Sequence, residues 1–76
     1  MDERVAVEEI HAEMVSSVWK VLVHPGVRVA AGDTLVILES MKMEIPVVAE
    51  SAGTVQELRV NEGDVVQEGD VIAVIG

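Results

Sequence analysis

Cysteine is absent from this 76-residue chain, so neither disulfides nor thiolate-ligated zinc hold it together, and stability has to come from packing. Aromatic side chains are almost as scarce: Trp19 stands alone. Lys and Arg number 5 against 14 Asp and Glu, and the net charge of −9 repels both nucleic-acid phosphate and anionic membrane surfaces. No run approaches the roughly 20 apolar residues that span a bilayer. Met1-Asp2-Glu3-Arg4 also lacks the basic region and following apolar stretch of a secretory leader. A soluble, cytoplasmic protein is expected, with neither nucleic acid nor membrane as partner. The 6 glycines stand singly, which excludes a phosphate-cradling loop. A chain this short allows one domain and buries only about 60% of the surface its unfolded form exposes, too little to wall a deep active-site cleft.

What the chain does have is β-branched residues: Val and Ile number 22 against 4 Leu, which points to a mostly β fold. It also repeats itself. A shift of 37 positions lays Ala12-Glu13 on Ala49-Glu50, Val18 on Val55, Val23 on Val60, Gly26 on Gly63, Val29 on Val66 and Gly32-Asp33 on Gly69-Asp70. Two copies of one unit, each too small to bury its own apolar face, are expected to pack about an approximate two-fold axis.

Turn signals punctuate both copies: His24-Pro25-Gly26 and Ala31-Gly32-Asp33, then Asn61-Glu62-Gly63-Asp64 and Glu68-Gly69-Asp70. Strands are predicted between them at 7–12, 17–23, 27–30, 34–39, 44–49, 54–60, 64–67 and 71–75. Residues 5–14 also fit an amphipathic helix with Val7, Ile10 and Met14 on one face. The repeat decides for a strand, because the equivalent stretch 44–49 carries Pro46 in its interior, which an edge strand tolerates and a helix does not. The expected architecture is an all-β, flattened antiparallel barrel or sandwich of two four-stranded sheets. Residues 1–6 are expected to form a flexible N-terminus and 7–76 a single domain, with repeat halves at about 7–39 and 44–76. The predicted core comprises Ile10, Val18, Val21, Val23, Leu35, Ile37, Val47, Val55, Leu58, Val60, Ile72 and Val74.

One connection breaks the local rules. Ser40-Met41-Lys42-Met43 joins two strands so closely that only a tight hairpin fits, yet such turns favour Asn-Gly or Asp-Gly because their central residues need positive φ. Every other turn uses glycine, and departures of this kind gather at functional sites. The plain alternative is a solvated loop lysine with Met41 and Met43 capping the edge of the core.

Glu39-Ser40-Met41-Lys42-Met43-Glu44 resembles the Met-Lys-Met attachment motif of biotinyl domains, the swinging-arm carriers of biotin-dependent carboxylases. The similarity extends over nearly the whole chain, including the two-copy layout and the Gly-Asp turns. It is strongest to the small free-standing biotin/lipoyl attachment proteins of biotin carboxyl carrier type, whose fold is a barrel-sandwich hybrid. The resemblance implies that Lys42 carries biotin as a covalent cofactor, joined by a biotin protein ligase, and that the ligase recognises Met41 and Met43. Glu39 matches a glutamate that often stands three residues before the lysine. Ser40 departs from the more frequent Ala, and Ser16 replaces a glycine that the second copy keeps as Gly53, which bears on the 13–17 loop. No thumb-like insertion is present. As implied, the domain is a monomeric carrier and catalyses nothing. It shuttles carboxybiotin between a biotin carboxylase and a carboxyltransferase on separate chains. Two alternatives share the fold: a lipoyl carrier, in which Asp and Ala usually flank the lysine, and a non-covalent adaptor that leaves Lys42 unmodified.

Other candidates read more plainly. Lys20 pairs with Glu57 in the repeat and suits an outward surface position. Trp19, whose repeat partner is Gln56, either lies flat over the edge of the core or meets a partner. His11 and His24 lack the companion ligands of a metal site. The carboxylates read as solvated charge rather than as an acid/base pair.

Overall fold

A computed structural model describes residues 7–76; residues 1–6, expected to be a flexible N-terminus, lie outside the described residues. Eight strands follow one another: β1 (Glu8–His11), β2 (Ser16–Val21), β3 (Arg28–Val29), β4 (Thr34–Ser40), β5 (Met43–Val48), β6 (Gly53–Leu58), β7 (Val65–Val66) and β8 (Val71–Ile75). Each lies where a strand is predicted, within two residues at either end. Residues 8–11 pair antiparallel with β8 and are not helical, as the proline at the repeat-related position requires.

The strands form two four-stranded antiparallel sheets in the orders β1-β8-β6-β3 and β5-β4-β2-β7. The repeat carries β1 to β5, β2 to β6, β3 to β7 and β4 to β8, so it converts one sheet into the other. Each sheet therefore draws two strands from each copy. The register obeys the same operation: Val18 opposite Leu38 and Lys20 opposite Ile37 in one sheet become Val55 opposite Ile75 and Glu57 opposite Val74 in the other. The copies are also tied crosswise at their turns. Gly26 N donates to Val55 O and Gly63 N to Val18 O, both at 2.8 Å. Gly32 N likewise donates to Ala49 O and Gly69 N to Ala12 O, again at 2.8 Å. Three turns are further closed by an aspartate: the carboxylates of Asp33, Asp64 and Asp70 accept the backbone N–H of Ala30, Asn61 and Gln67 at 2.8 Å. The fourth turn has Val27 at that position and Gly26 at φ 97°, where Pro25 before it favours a type II bend.

β-Bulges set which side chains reach the core. Register shifts fall between Val18 and Lys20, between Thr34 and Val36, and at the two repeat-related places in the other sheet. An extra residue at such a point reverses the inward and outward alternation beyond it. Leu35 and Val36 are consequently both fully buried, Ile37 turns outward and is only half-buried, and Leu38 returns to the core. Ile37 is thus not the core residue the strict alternation predicts. Of the others, Ile10, Val18, Leu35, Val55, Val60, Ile72 and Val74 are buried, while Val21, Val23, Val47 and Leu58 pack against the core from its rim.

The departure at Ser16 has a local solution. At the repeat-related Gly53, a Cβ would stand 2.9 Å from Ile75 Cγ2, closer than side chains approach. Ser16 is nevertheless buried, and its hydroxyl donates to Met14 O at 3.0 Å, which satisfies the polar atom and shapes the bend at 13–15.

Candidate functional site

β4 and β5 form a hairpin whose rungs run from Thr34 opposite Val48 to Glu39 opposite Glu44 and, last, Ser40 opposite Met43. Two residues remain to reverse the chain. Met41 has φ 53° and Lys42 has φ 66°, the pair of positive values that a type I′ turn demands. They are the only non-glycine residues with positive φ among those described, and each forgoes about 1 kcal/mol relative to glycine there. Firm rungs behind the turn hold it in place. β4 is an interior strand flanked by β2 and β5, Ser17 faces Glu39 on its other side, and Leu38 just below is only 2% exposed.

The turn thrusts its side chains into solvent. Met41 is 90% exposed and Met43 60%, unusual values for thioethers, while Glu39, Lys42 and Glu44 are exposed and Ser40 is half-buried. The ion pairs among the described residues join Arg59 to Glu57 and His11 to Glu9, and neither involves Lys42. All five residues singled out in the attachment motif are therefore gathered at one rigid tip, with an untethered amine at its apex. Such an arrangement can present a nucleophile to another protein's active site; among the described residues no carboxylate is paired with the amine, and Glu39, Lys42 and Glu44 all stand exposed to water.

The remaining candidates lie elsewhere. His11 Nδ1 stands 2.9 Å from Gly69 O and His24 Nδ1 3.0 Å from Pro25 O, so both rings are occupied in backbone contacts. No cluster of three or more His, Cys, Asp or Glu side chains among the described residues is placed to hold a metal ion. A cavity of about 350 Å³ opens between the edge strands β1 and β5, lined by Ile10, Leu38, Ile45 and Val47 beside Glu9 and Glu50. Trp19 is the extra residue of the β2 bulge, 44% exposed, with Lys20 Nζ 5.5 Å from its ring centroid. Both residues are expected to face outward from their polar repeat partners Gln56 and Glu57, and the bulge is what allows these chain neighbours to share one face. The bulge itself has no side-chain signature in the sequence.

A biotinyl or lipoyl type of carrier domain is the class these features define. The family model described as "Biotin-requiring enzyme" matches residues 5–75, and the chain belongs to this biotin/lipoyl attachment family. It is 56% identical over 68 residues to "Biotinylated protein TB7.3 homolog" of Mycobacterium leprae (strain TN), covering 90% of this chain and 96% of that protein. It is 48% identical over 63 residues to "Biotin/lipoyl attachment protein" of Bacillus subtilis (strain 168), covering 83% of this chain and 86% of the relative. Among solved structures, urea carboxylase of Kluyveromyces lactis superposes with a TM-score of 0.87 at 34% identity, over 100% of this chain and 7% of the larger one.

Proposed function

We propose that the protein is a biotin carboxyl carrier in which Lys42 is the single attachment point. The observation that supports this most is the type I′ turn built from Met41 and Lys42 in place of glycine, which fixes an exposed amine at the tip of a braced hairpin. A biotin protein ligase, using ATP to activate the carboxyl of biotin, is the acylating partner. Lys42 Nζ forms an amide with that carboxyl carbon, the activating group leaves, and the nitrogen gives up a proton. Bound biotin takes up a carboxyl group at a biotin carboxylase and yields it at a carboxyltransferase. This chain's residues supply presentation alone, as a monomer in the cytoplasm serving enzymes on separate chains. The family and the likeness to a carboxylase of known structure support the carboxylase setting.

The intact mass of the protein isolated from its own cells tests the reading. An increase by one biotinoyl group, mapped to the peptide containing Lys42, is the expected result. A lipoyl increment, or unmodified protein in cells with an active ligase, would overturn it.

A further inference from the structure

The repeat supplies an internal control for the surface, because every outward position of one sheet has a counterpart on the other. The two outer faces should match in character if neither had a partner. They do not. On the sheet that bears the hairpin, Trp19, Pro46, Val48 and Val65 are exposed and outward; at the corresponding positions the other sheet carries Gln56, Glu9, His11 and Arg28. The pairings place these side chains on one surface: Lys20, whose ammonium lies over Trp19, faces Ile37, and Ile37 faces Pro46. Val65 faces Ser17, which in turn faces Glu39 of the hairpin. Within the strands, the exposed apolar side chains thus belong to one of two otherwise related faces, the one continuous with Lys42; Val7, just before β1 and the counterpart of Glu44, is exposed beside the other sheet.

We propose that this face, centred on Trp19, is the surface on which the biotin protein ligase seats the domain while Lys42 is acylated. The proposal rests on the carrier reading above. Distance supports a shared interface: Trp19 lies two residues from Ser17 along β2 and Lys42 three from Glu39, so at about 3.3 Å per residue and one strand spacing they are roughly 17 Å apart. A standard interface of about 800 Å² per partner spans more than that. Reach favours the ligase over the carboxylase enzymes. Those meet biotin at the far end of its arm, whereas the ligase must draw the lysine itself into its active site and so bring the body of the domain into contact. Charge defines the complementary surface. With Glu39 and Glu44 flanking the lysine and a net charge of −9, the ligase side is an apolar depression bordered by cationic groups. Tryptophan is also the side chain that most often carries binding energy at such centres.

Initial rates of biotinylation, measured against apo-protein concentration with the ligase of the same cells, biotin and ATP, test the assignment. Trp19→Gln, which gives β2 the residue of its counterpart, is expected to raise KM about tenfold and leave kcat within about twofold. Gln56→Ala on the opposite sheet is expected to leave both unchanged, and the wild-type KM should rise with salt. If Trp19→Gln is not folded by circular dichroism, Pro46→Glu and Val65→Arg carry the same test, since the first copy accepts Glu9 and Arg28 at those positions. A KM within twofold of wild type for the folded variants would overturn the proposal. So would a wild-type dimer in sedimentation that Trp19→Gln dissociates without change in KM, because the face would then belong to a second copy. Failure of wild-type protein to be labelled at all would instead defeat the carrier reading, which separates the two.

Discussion

Ser40 and Met43 face each other across the last rung of the β4–β5 ladder, and the two residues between them turn the chain through left-handed conformations that neither favours. Nothing in the packing of the core demands this choice, since the repeat builds its other tight corners with glycine. Replacing the pair with the turn sequence that suits it, Met41→Asn with Lys42→Gly, is expected to stabilise the domain by about 1 kcal/mol and to abolish biotinylation. Urea denaturation and a labelling assay on the same preparation read both effects. A double variant less stable than wild type would show that the turn carries no strain.

The bulge between Thr34 and Val36 makes a contrast between adjacent residues. Leu38→Ala removes a side chain that is 2% exposed and is expected to cost about 2 to 5 kcal/mol, much of the stability of a domain this small. Ile37→Ala removes a half-buried, outward side chain and is expected to cost less than about half as much. Equal losses, measured by equilibrium unfolding, would contradict the parity that the bulge imposes.

That contrast also marks how far the sequence was legible. Strand and turn positions followed from the repeat, because glycine and aspartate occur where the backbone needs positive φ or a side-chain acceptor; the order of strands within each sheet did not. The hairpin stood out because it lacked such residues. The bulges were invisible: they arise from pairing between strands distant in sequence, and Trp19, Leu35, Gln56 and Ile72 share no property that marks an extra residue. Ile37 was therefore placed inside and Val36 overlooked. Trp19 and Lys20 were both expected to face outward, but the seating of the Lys20 ammonium over the Trp19 ring emerged only from the structure.

On the proposed carrier reading, recognition by a biotin ligase has to depend on something that separates this tip from a lipoyl tip of similar outline. Met41 and Met43 are its two apolar side chains, and both stand in solvent without packing that accounts for them. Met41→Asp combined with Met43→Ala is expected to leave the unfolding transition close to wild type, because little buried area is lost, while sharply reducing biotinylation. Exposure of the double variant to a lipoate ligase would show whether the altered tip is accepted there. Unchanged labelling by the biotin ligase would remove the methionines from the recognition element.

Selection among the amines of the chain is expected to follow position rather than reactivity. Lys20 is solvent-exposed like Lys42, but it lies along the flank of β2 with its ammonium over the Trp19 ring, whereas Lys42 stands at an apex that another protein can enclose. Only the apex lets a long amide-linked arm dock at successive sites. Label is expected once per chain, at Lys42, and none on Lys42→Arg protein. Exchanging the two central residues, Met41→Lys with Lys42→Met, preserves composition yet shifts the amine to the other corner of the type I′ turn, where it leaves the hairpin in a different direction. That variant is expected to fold as wild type and to be labelled at least tenfold more slowly. Peptide mapping by mass spectrometry after treatment with ligase, biotin and ATP provides the check. Label at Lys20, or efficient label on the exchanged pair, would mean that the ligase follows the nearest accessible amine and that the geometry of this turn does not direct it.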